Sequence, residues 1–150
     1  MSSLLPIISE ILPMIMPATT NITRAKQLEP SHPTVEGPVT ERPAVVGKCD
    51  KMFLTTRPHS DTSIRHNSEQ DAIFYAVSGN GTLIVNEAVG SDLKNHDLSP
   101  GDFAFVPAWT EHQVRNETDQ DVVLLVIQSG SSPIRADLAD WGGDVIMTRD

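Results

Sequence analysis

The stretch that decides the fold is Gly101–Asn116, with the sequence GDFAFVPAWTEHQVRN. We interpret it as two short β-strands, Asp102–Val106 and Glu111–Asn116, separated by a segment that contains a proline. The residues Ser99–Asp102 (SPGD) include a proline that fixes φ, followed by a glycine that tolerates positive φ, so they predict a turn. His112 lies inside the second strand and is the first candidate functional residue.

From residue 45 onward the chain consists of short β runs broken by Gly, Pro, Asn and Asp, a pattern typical of an all-β sandwich or barrel. Between two of these runs, the residues 79–81 (GNG) predict a tight hairpin. Near the end of the chain, Arg135–Trp141 predicts one or two helical turns that cap the barrel. The remaining strands are expected near Lys51–Thr56, Ser63–His66, Ala72–Ser78, Gly81–Asn86, Lys94–Leu98 and Val122–Gln128.

The composition excludes several classes of protein. A chain of 150 residues fits one domain, and its single cysteine, Cys49, allows neither an intrachain disulfide nor a zinc site made of cysteines. We therefore expect a reduced, cytoplasmic setting. The net charge of −9 lacks the basic surface that nucleic acids and anionic membranes attract, so we expect neither as a partner.

The first 43 residues are predicted to form an extended N-terminal arm and connector, and residues 44–150 a barrel with a short C-terminal cap. The arm begins with the apolar run Leu4–Pro17, in which Glu10 and three prolines argue against a secretory signal or a membrane helix. Because exposed apolar residues at this density are costly, we expect the run to cover the barrel or a second subunit, in a homodimer. The residues from Asn21 to Pro43 are polar and rich in proline, as in a connector.

Residues 101–116 resemble the second sequence motif of the cupins, G-x5-P-x-G-x2-H-x3-N. They match it at every fixed position except one, where Trp109 replaces a glycine. The stretch Arg65–Gly79 resembles part of the first motif, G-x5-H-x-H-x3-4-E-x6-G. The resemblance implies an all-β, cupin-type double-stranded β-helix, a jelly-roll barrel. It also implies a divalent metal such as Zn, Fe, Ni or Mn, held by side chains of both motifs.

Aligned on Gly79, the first motif has lost most of its ligands. His66 falls on its first histidine, but serine occupies the second histidine position and alanine the glutamate position. We expect His66 and His112 as metal ligands, approaching each other inside the barrel. In an extended strand Gln70 shares the face of His66 and becomes the third expected ligand. A bulge, however, would turn Glu69 or Asp71 inward instead.

Short strings around both motifs resemble the small cupins of fungal aromatic polyketide pathways. These strings are 64–71 (IRHNSEQD), 75–79 (YAVSG) and 107–113 (PAWTEHQ). Where such relatives have a second histidine, this chain has Asn67. The resemblance implies a non-redox step (decarboxylation, dehydration or isomerisation) on an aromatic polyketide or β-keto acid.

The candidate catalytic residues are His66, His112 and Glu69, with Trp109 as a wall for a planar ligand. Two alternatives stay open: a metal-dependent dioxygenase and a non-catalytic cupin that binds a small ligand. His32 and His96 are interpreted as surface or hydrogen-bonded residues. His59 is interpreted as a solvated loop residue, with a position over the barrel mouth as the alternative.

Overall fold

The computed structural model describes residues 20, 22–29, 37–45, 49–87, 92–129 and 134–149. These residues form one short 3-10 helix, Ala25–Leu28, and otherwise β-strands and loops. In chain order the strands are β1 Val39–Val45, β2 Cys49–Thr56, β3 Ser60–Asp61, β4 Ile64–Ser68, β5 Ala72–Ser78, β6 Gly81–Asn86, β7 Lys94–Leu98, β8 Phe103–Val106, β9 Glu111–Asn116, β10 Val122–Ser129, β11 Ile134–Leu138 and β12 Val145–Arg149.

The strands make two antiparallel sheets that face each other in a jelly-roll barrel. The five-stranded sheet has the order β1-β2-β10-β5-β8. The seven-stranded sheet has the order β12-β11-β4-β9-β6-β7, with β3 paired to β9. The all-β jelly-roll expected from the sequence is confirmed.

Strand alternation explains where the core lies. In β10, the sequence VVLLVIQS is buried at every second residue, because β10 pairs with β2 on one side and β5 on the other. Val122, Leu124 and Val126 therefore pack inward, and each such side chain stabilises the fold by roughly 1.5–3 kcal/mol when fully buried. Inward residues of the second sheet, such as Leu83 and Val114, complete the core.

Two connections differ from the sequence-based expectation. The residues 79–81 do not close a hairpin, because β5 and β6 belong to different sheets. Gly79, at φ 77°, carries the chain from one sheet to the other, and a Cβ there would lie 2.2 Å from the Asp121 carbonyl oxygen. The predicted helical cap after Arg135 is also wrong. The first four of those residues, 135–138, belong to β11, because pairing with β4 and burial of Ala136 and Leu138 outweigh their helix propensity. Residues 139–141 form a bend and a turn.

The N-terminal region is described in part. Strand β1 crosses the predicted limit between connector and barrel, and it pairs with β2 on both sides of a register shift between Pro43 and Val45. Proline is tolerated there because β1 is an edge strand. The apolar run Leu4–Pro17 lies outside the described residues. In the part of the chain that is described, no helix has the length and apolar character needed to cross a membrane.

Candidate functional site

His112 is the centre of the candidate site. It lies in β9 on the barrel's inner face, with only 3% of its surface exposed, and its ring meets the edge of Phe74 at 5.5 Å between centroids. Its Nδ1 is 2.9 Å from the Thr110 carbonyl oxygen. Because a carbonyl can only accept a hydrogen bond, Nδ1 carries the proton and Nε2 keeps its lone pair.

Burial lowers the pKa of His112 from 6.5 to about 4, because the charged form of the imidazole would lose its hydration. The hydrogen bond to Thr110 acts in the opposite direction, and the positive charges of Arg65 and Arg135 lower the pKa further. The side chain is therefore a neutral imidazole at physiological pH. In this form Nε2 can accept a proton or a hydrogen bond.

A buried group of charged side chains lies beside His112. Arg65 is its direct cross-strand partner, so the two side chains share the inner face. The Arg65 guanidinium pairs with the carboxylate of Glu41 from the opposite sheet. Arg135 donates to the same carboxylate at 2.6 Å and lies 3.0 Å from Asp137 Oδ1. We call these four residues, two cations and two anions, the charged cluster.

The charged cluster is held together by further hydrogen bonds. Ser63 Oγ accepts from Arg65 Nε at 3.1 Å and donates to Asp137 Oδ1 at 3.1 Å. Burial would raise the pKa of Glu41, but the charges and hydrogen bonds of Arg65 and Arg135 outweigh it and lower that pKa. Glu41 therefore carries its negative charge at neutral pH and compensates the two guanidinium groups.

His66 lies on the opposite face of β4 from Arg65. Because Arg65 faces inward beside His112, the next residue of the extended strand points outward. His66 contacts Trp109 there, at 5.3 Å between ring centroids, and its Nδ1 is buried with no hydrogen-bond partner among the described residues. The expectation that His66 and His112 meet inside the barrel is therefore wrong.

The strand register corrects the alignment of the first motif. The motif allows three or four residues before its glutamate, and four give Arg65, Asn67 and Ala72 at the ligand positions while keeping Gly79. These three residues are buried, and Arg65 and Ala72 belong to the inner face of the barrel. The motif's opening glycine then falls on His59, which adopts a φ of 55° that favours glycine.

The other expected donors are also separated from His112. Glu69 has a φ of 66° and an exposed side chain, so the predicted bulge does not turn it inward. Asp71 is exposed, and its Oδ1 accepts a hydrogen bond from the Ala108 amide at 2.9 Å. Gln70 is buried. The irregular backbone at Glu69 explains how Asn67 and Ala72, five residues apart, are both buried.

These residues do not fit the divalent metal that the resemblance implied. The described part of the chain contains no group of three or more His, Cys, Asp or Glu residues able to hold an ion. The expected ligands His66, Gln70 and His112 do not form one set, since His66 faces outward. At the motif's ligand positions His112 is left beside a guanidinium cation, whose charge opposes the binding of a metal ion.

Trp109 is exposed and has a φ of 65°, which explains why the motif has glycine at this position. Its amide donates to the Asn67 carbonyl at 2.8 Å, and its ring covers His66. The predicted wall for a planar ligand is not part of the cleft described next.

A cleft of about 730 Å³ opens between β6–β7 and β8. Its apolar lining includes Val85, the cross-strand partner of His112, and Val106. His96 also lines it and is exposed, as predicted for a surface histidine.

Comparison with known proteins agrees with this architecture. The profile of the cupin domain family matches residues 52–128. The protein TT1209 from Thermus thermophilus superposes with a TM-score of 0.60 at 24% identity, covering 74% of this chain and 98% of its own. Oxalate decarboxylase from Bacillus subtilis gives a TM-score of 0.58 at 21% identity, covering 63% of this chain and 25% of its own.

A sugar phosphate isomerase of the cupin superfamily from Silicibacter pomeroyi gives a TM-score of 0.52 at 21% identity, covering 62% of this chain. This chain spans 58% of the isomerase's length. At these identities the structures share the fold alone. No curated protein matches the sequence.

Proposed function

The chain belongs to the cupin domain family, and from this premise we propose that it is an enzyme that acts on a small carbonyl acid by a non-redox step. The step is a decarboxylation, dehydration or isomerisation, and the substrate is an aromatic polyketide or a β-keto acid, in a cytoplasmic setting. The observation that carries the proposal is a neutral, buried His112 beside the cation Arg65 on the inner face of the barrel.

Arg65 and Asn67 supply what such a reaction needs in place of a metal. A guanidinium and a buried amide are hydrogen-bond donors that stabilise a carboxylate or an enolate oxygen inside a protein, where the local dielectric is low. His112 supplies a lone pair on Nε2. The donors and the base thus come from two adjacent strands, β4 and β9.

Decarboxylation of a β-keto acid shows how these groups would act. The bond between the α-carbon and the carboxylate breaks, its electron pair moves to the carbonyl oxygen, and carbon dioxide leaves an enolate beside Arg65. A bound carboxylate raises the pKa of His112 by opposing the arginine charges, so the imidazole takes up a proton from solvent when the substrate binds. The imidazolium then donates that proton from Nε2 to the α-carbon of the enolate, which restores the ketone and the neutral imidazole.

The cleft gives the substrate class a physical basis. A volume of about 730 Å³ suits a small organic molecule. His112, Arg65 and Asn67 are not lining residues of the cleft, and its nearest approach to them is through Val85, the cross-strand partner of His112. His66 and Glu69 are not assigned to this centre, because the former faces outward and the latter is exposed. A dioxygenase is not proposed, because the donors around His112 do not suit a tightly held iron.

A second candidate is a non-catalytic cupin that binds a small organic acid. The observation that favours it is the charge balance of the charged cluster, in which Glu41 and Asp137 already neutralise both arginines. Binding without turnover would then be the outcome for every preparation.

The experiment uses the full chain, treated with a chelator and kept anaerobic, with a panel of phenolic and β-keto acids followed by mass spectrometry. Turnover is expected, and His112→Gln should lower kcat/KM by at least ~100-fold, the usual contribution of a general acid or base. The matched control, His59→Gln, changes an exposed histidine and should keep the activity.

Circular dichroism and thermal melting of both variants establish that they are folded. A strict requirement for oxygen or for an added metal would contradict the proposal. Binding of an acid in calorimetry without any product would support the second candidate.

A further inference from the structure

The outer face of the five-stranded sheet is apolar and uncovered among the described residues. Strand register places Phe103 in one row with Tyr75, Leu125 and Phe53, all opposite to the core. Phe105 begins a second row, which continues through Ile73 and Ile127. We call these seven residues the outer apolar face.

Exposure on this face is high for aromatic side chains. Phe103 is 68% and Phe105 63% exposed, and Ile73 is exposed as well. The rings of Tyr75 and Phe103 lie 4.6 Å apart, so the apolar surface is contiguous. An antiparallel sheet with one face in the core normally presents polar residues on the other face. A contiguous apolar patch therefore indicates an interaction surface.

The chain itself contains a segment of matching chemistry. Leu4–Met16 is apolar except for Ser9 and Glu10, and lies outside the described residues. The chain that follows it reaches the body at β1, the edge of this same sheet: Thr23 Oγ1 donates to the Ala44 carbonyl oxygen, and the short 3-10 helix adjoins β1. The segment is thus tethered to the edge of the sheet whose outer face is uncovered.

The length of the segment favours a second copy of the chain. Four strand spacings of ~4.8 Å separate β1 from β8, a width of ~19 Å. Thirteen extended residues span ~43 Å at ~3.3 Å each. An extended segment that runs across the strands would therefore have only about half of its length on one face. A segment that crosses this width would project beyond β8, and a second face alongside, as in a twofold dimer with exchanged arms, would bury the remainder.

We propose that the outer apolar face docks segment 4–16 of a second copy of this chain, and that two chains exchange these segments in a dimer. The two docked segments bury both apolar faces at once. The outer apolar face lies on the other side of the five-stranded sheet from the core. Phe103 and Phe105 also border the cleft of about 730 Å³, so the tests below measure the association of the chains and not activity.

The test is a photo-crosslink in the full-length protein. Benzoylphenylalanine replaces Phe105, and unlabelled variant is mixed and re-equilibrated with 15N-labelled wild-type chain. We expect crosslinks from residue 105 to peptides within residues 4–16 of the labelled chain. Crosslinks only within one chain would overturn the exchange, and crosslinks elsewhere, or none, would overturn the docking.

A second measurement does not depend on the photo-reaction. Sedimentation should give a dimer that Phe105→Ser or deletion of residues 2–17 weakens by at least ~10-fold in the dissociation constant, through loss of buried apolar area. The matched control is Ile146→Ser, which removes an equally exposed apolar side chain from β12 of the other sheet and should leave the dimer intact. A monomer at all concentrations, or an equal effect of the control, would contradict the inference.

Discussion

Stability should fall between pH 7 and pH 5 because His112 is buried as a neutral imidazole. The folded chain holds the pKa of His112 at about 4, against 6.5 for the accessible side chain. Between these two values the unfolded chain is protonated and the folded chain is not, so acid favours unfolding. The part of the free energy of unfolding that depends on a neutral His112 is fully present above pH 6.5, and it is lost as the pH falls towards 4.

The size of the effect follows from the two pKa values. A difference of about 2.5 units, at ~1.4 kcal/mol per unit, corresponds to ~3 kcal/mol when the pH reaches 4. About 2 kcal/mol of this is expected between pH 7 and pH 5. The charged cluster does not interfere in this window, because the pKa of Glu41 lies below its usual 4.5 and its own contribution is lost only at lower pH.

Urea unfolding at half-unit steps of pH from 7.5 to 4.5 measures the effect. His112→Gln cannot titrate, so its free energy of unfolding should lose this slope even where the substitution lowers stability at every pH. His96→Gln is the control, because His96 is exposed and should leave the slope as in the wild type. A flat wild-type profile from pH 7 to 5, or a slope that survives in His112→Gln, would refute the reasoning.

Three further predictions concern the charged cluster, the sheet connection and the metal. Glu41→Gln should lower the free energy of unfolding in urea by about 2–3 kcal/mol, because it leaves buried guanidinium charge uncompensated. The control Glu87→Gln removes an exposed ion pair and should leave the free energy of unfolding unchanged. Gly79→Ala should lower the melting temperature more than Gly101→Ala. Both glycines have positive φ, but only at Gly79 would a Cβ collide with backbone atoms. An equal fall in melting temperature for the two variants would disprove the clash. Purified untagged protein should hold well below one Zn, Fe, Ni or Mn per chain by elemental analysis, and a full equivalent that disappears in His112→Gln would contradict the charge argument.

The features that local patterns determine could be predicted from the sequence. The second motif and the spacing of the short strands predicted the jelly-roll, and the motif placed His112 in the barrel. Asn116, the last residue of the motif, stabilises the loop that follows β9. Its side chain donates to the Thr56 and Gln120 carbonyls and accepts from the Thr118 amide. Such short-range features follow from the residue types and their spacing.

The composition of the site could not be predicted, because it depends on one backbone angle and on long-range pairing. The positive φ at Glu69 breaks the strand alternation on which the choice of Gln70 rested, and the extra residue there moves the first motif position from His66 to Arg65. Arg65 and Arg135 lie 24 and 94 residues from Glu41 in sequence, and only the packing of the two sheets brings them together. Strand β1 was not predicted, because the prolines in and around it are typical of a connector.

The arginine at a ligand position and the edge strand β1 are parts of one electrostatic arrangement. Arg65 is nearly buried, with a side chain 8% exposed, and a buried guanidinium is tolerated only when an anion compensates it. Strand β1 supplies that anion from the opposite sheet through Glu41. Because the charges of Arg65 and Arg135 are among those that lower the pKa of His112, the pairing of β1 with β2 contributes to the electrostatic environment of the imidazole. A displacement of β1 that withdrew Glu41 would leave both guanidinium groups undercompensated and free to attract a substrate carboxylate beside His112.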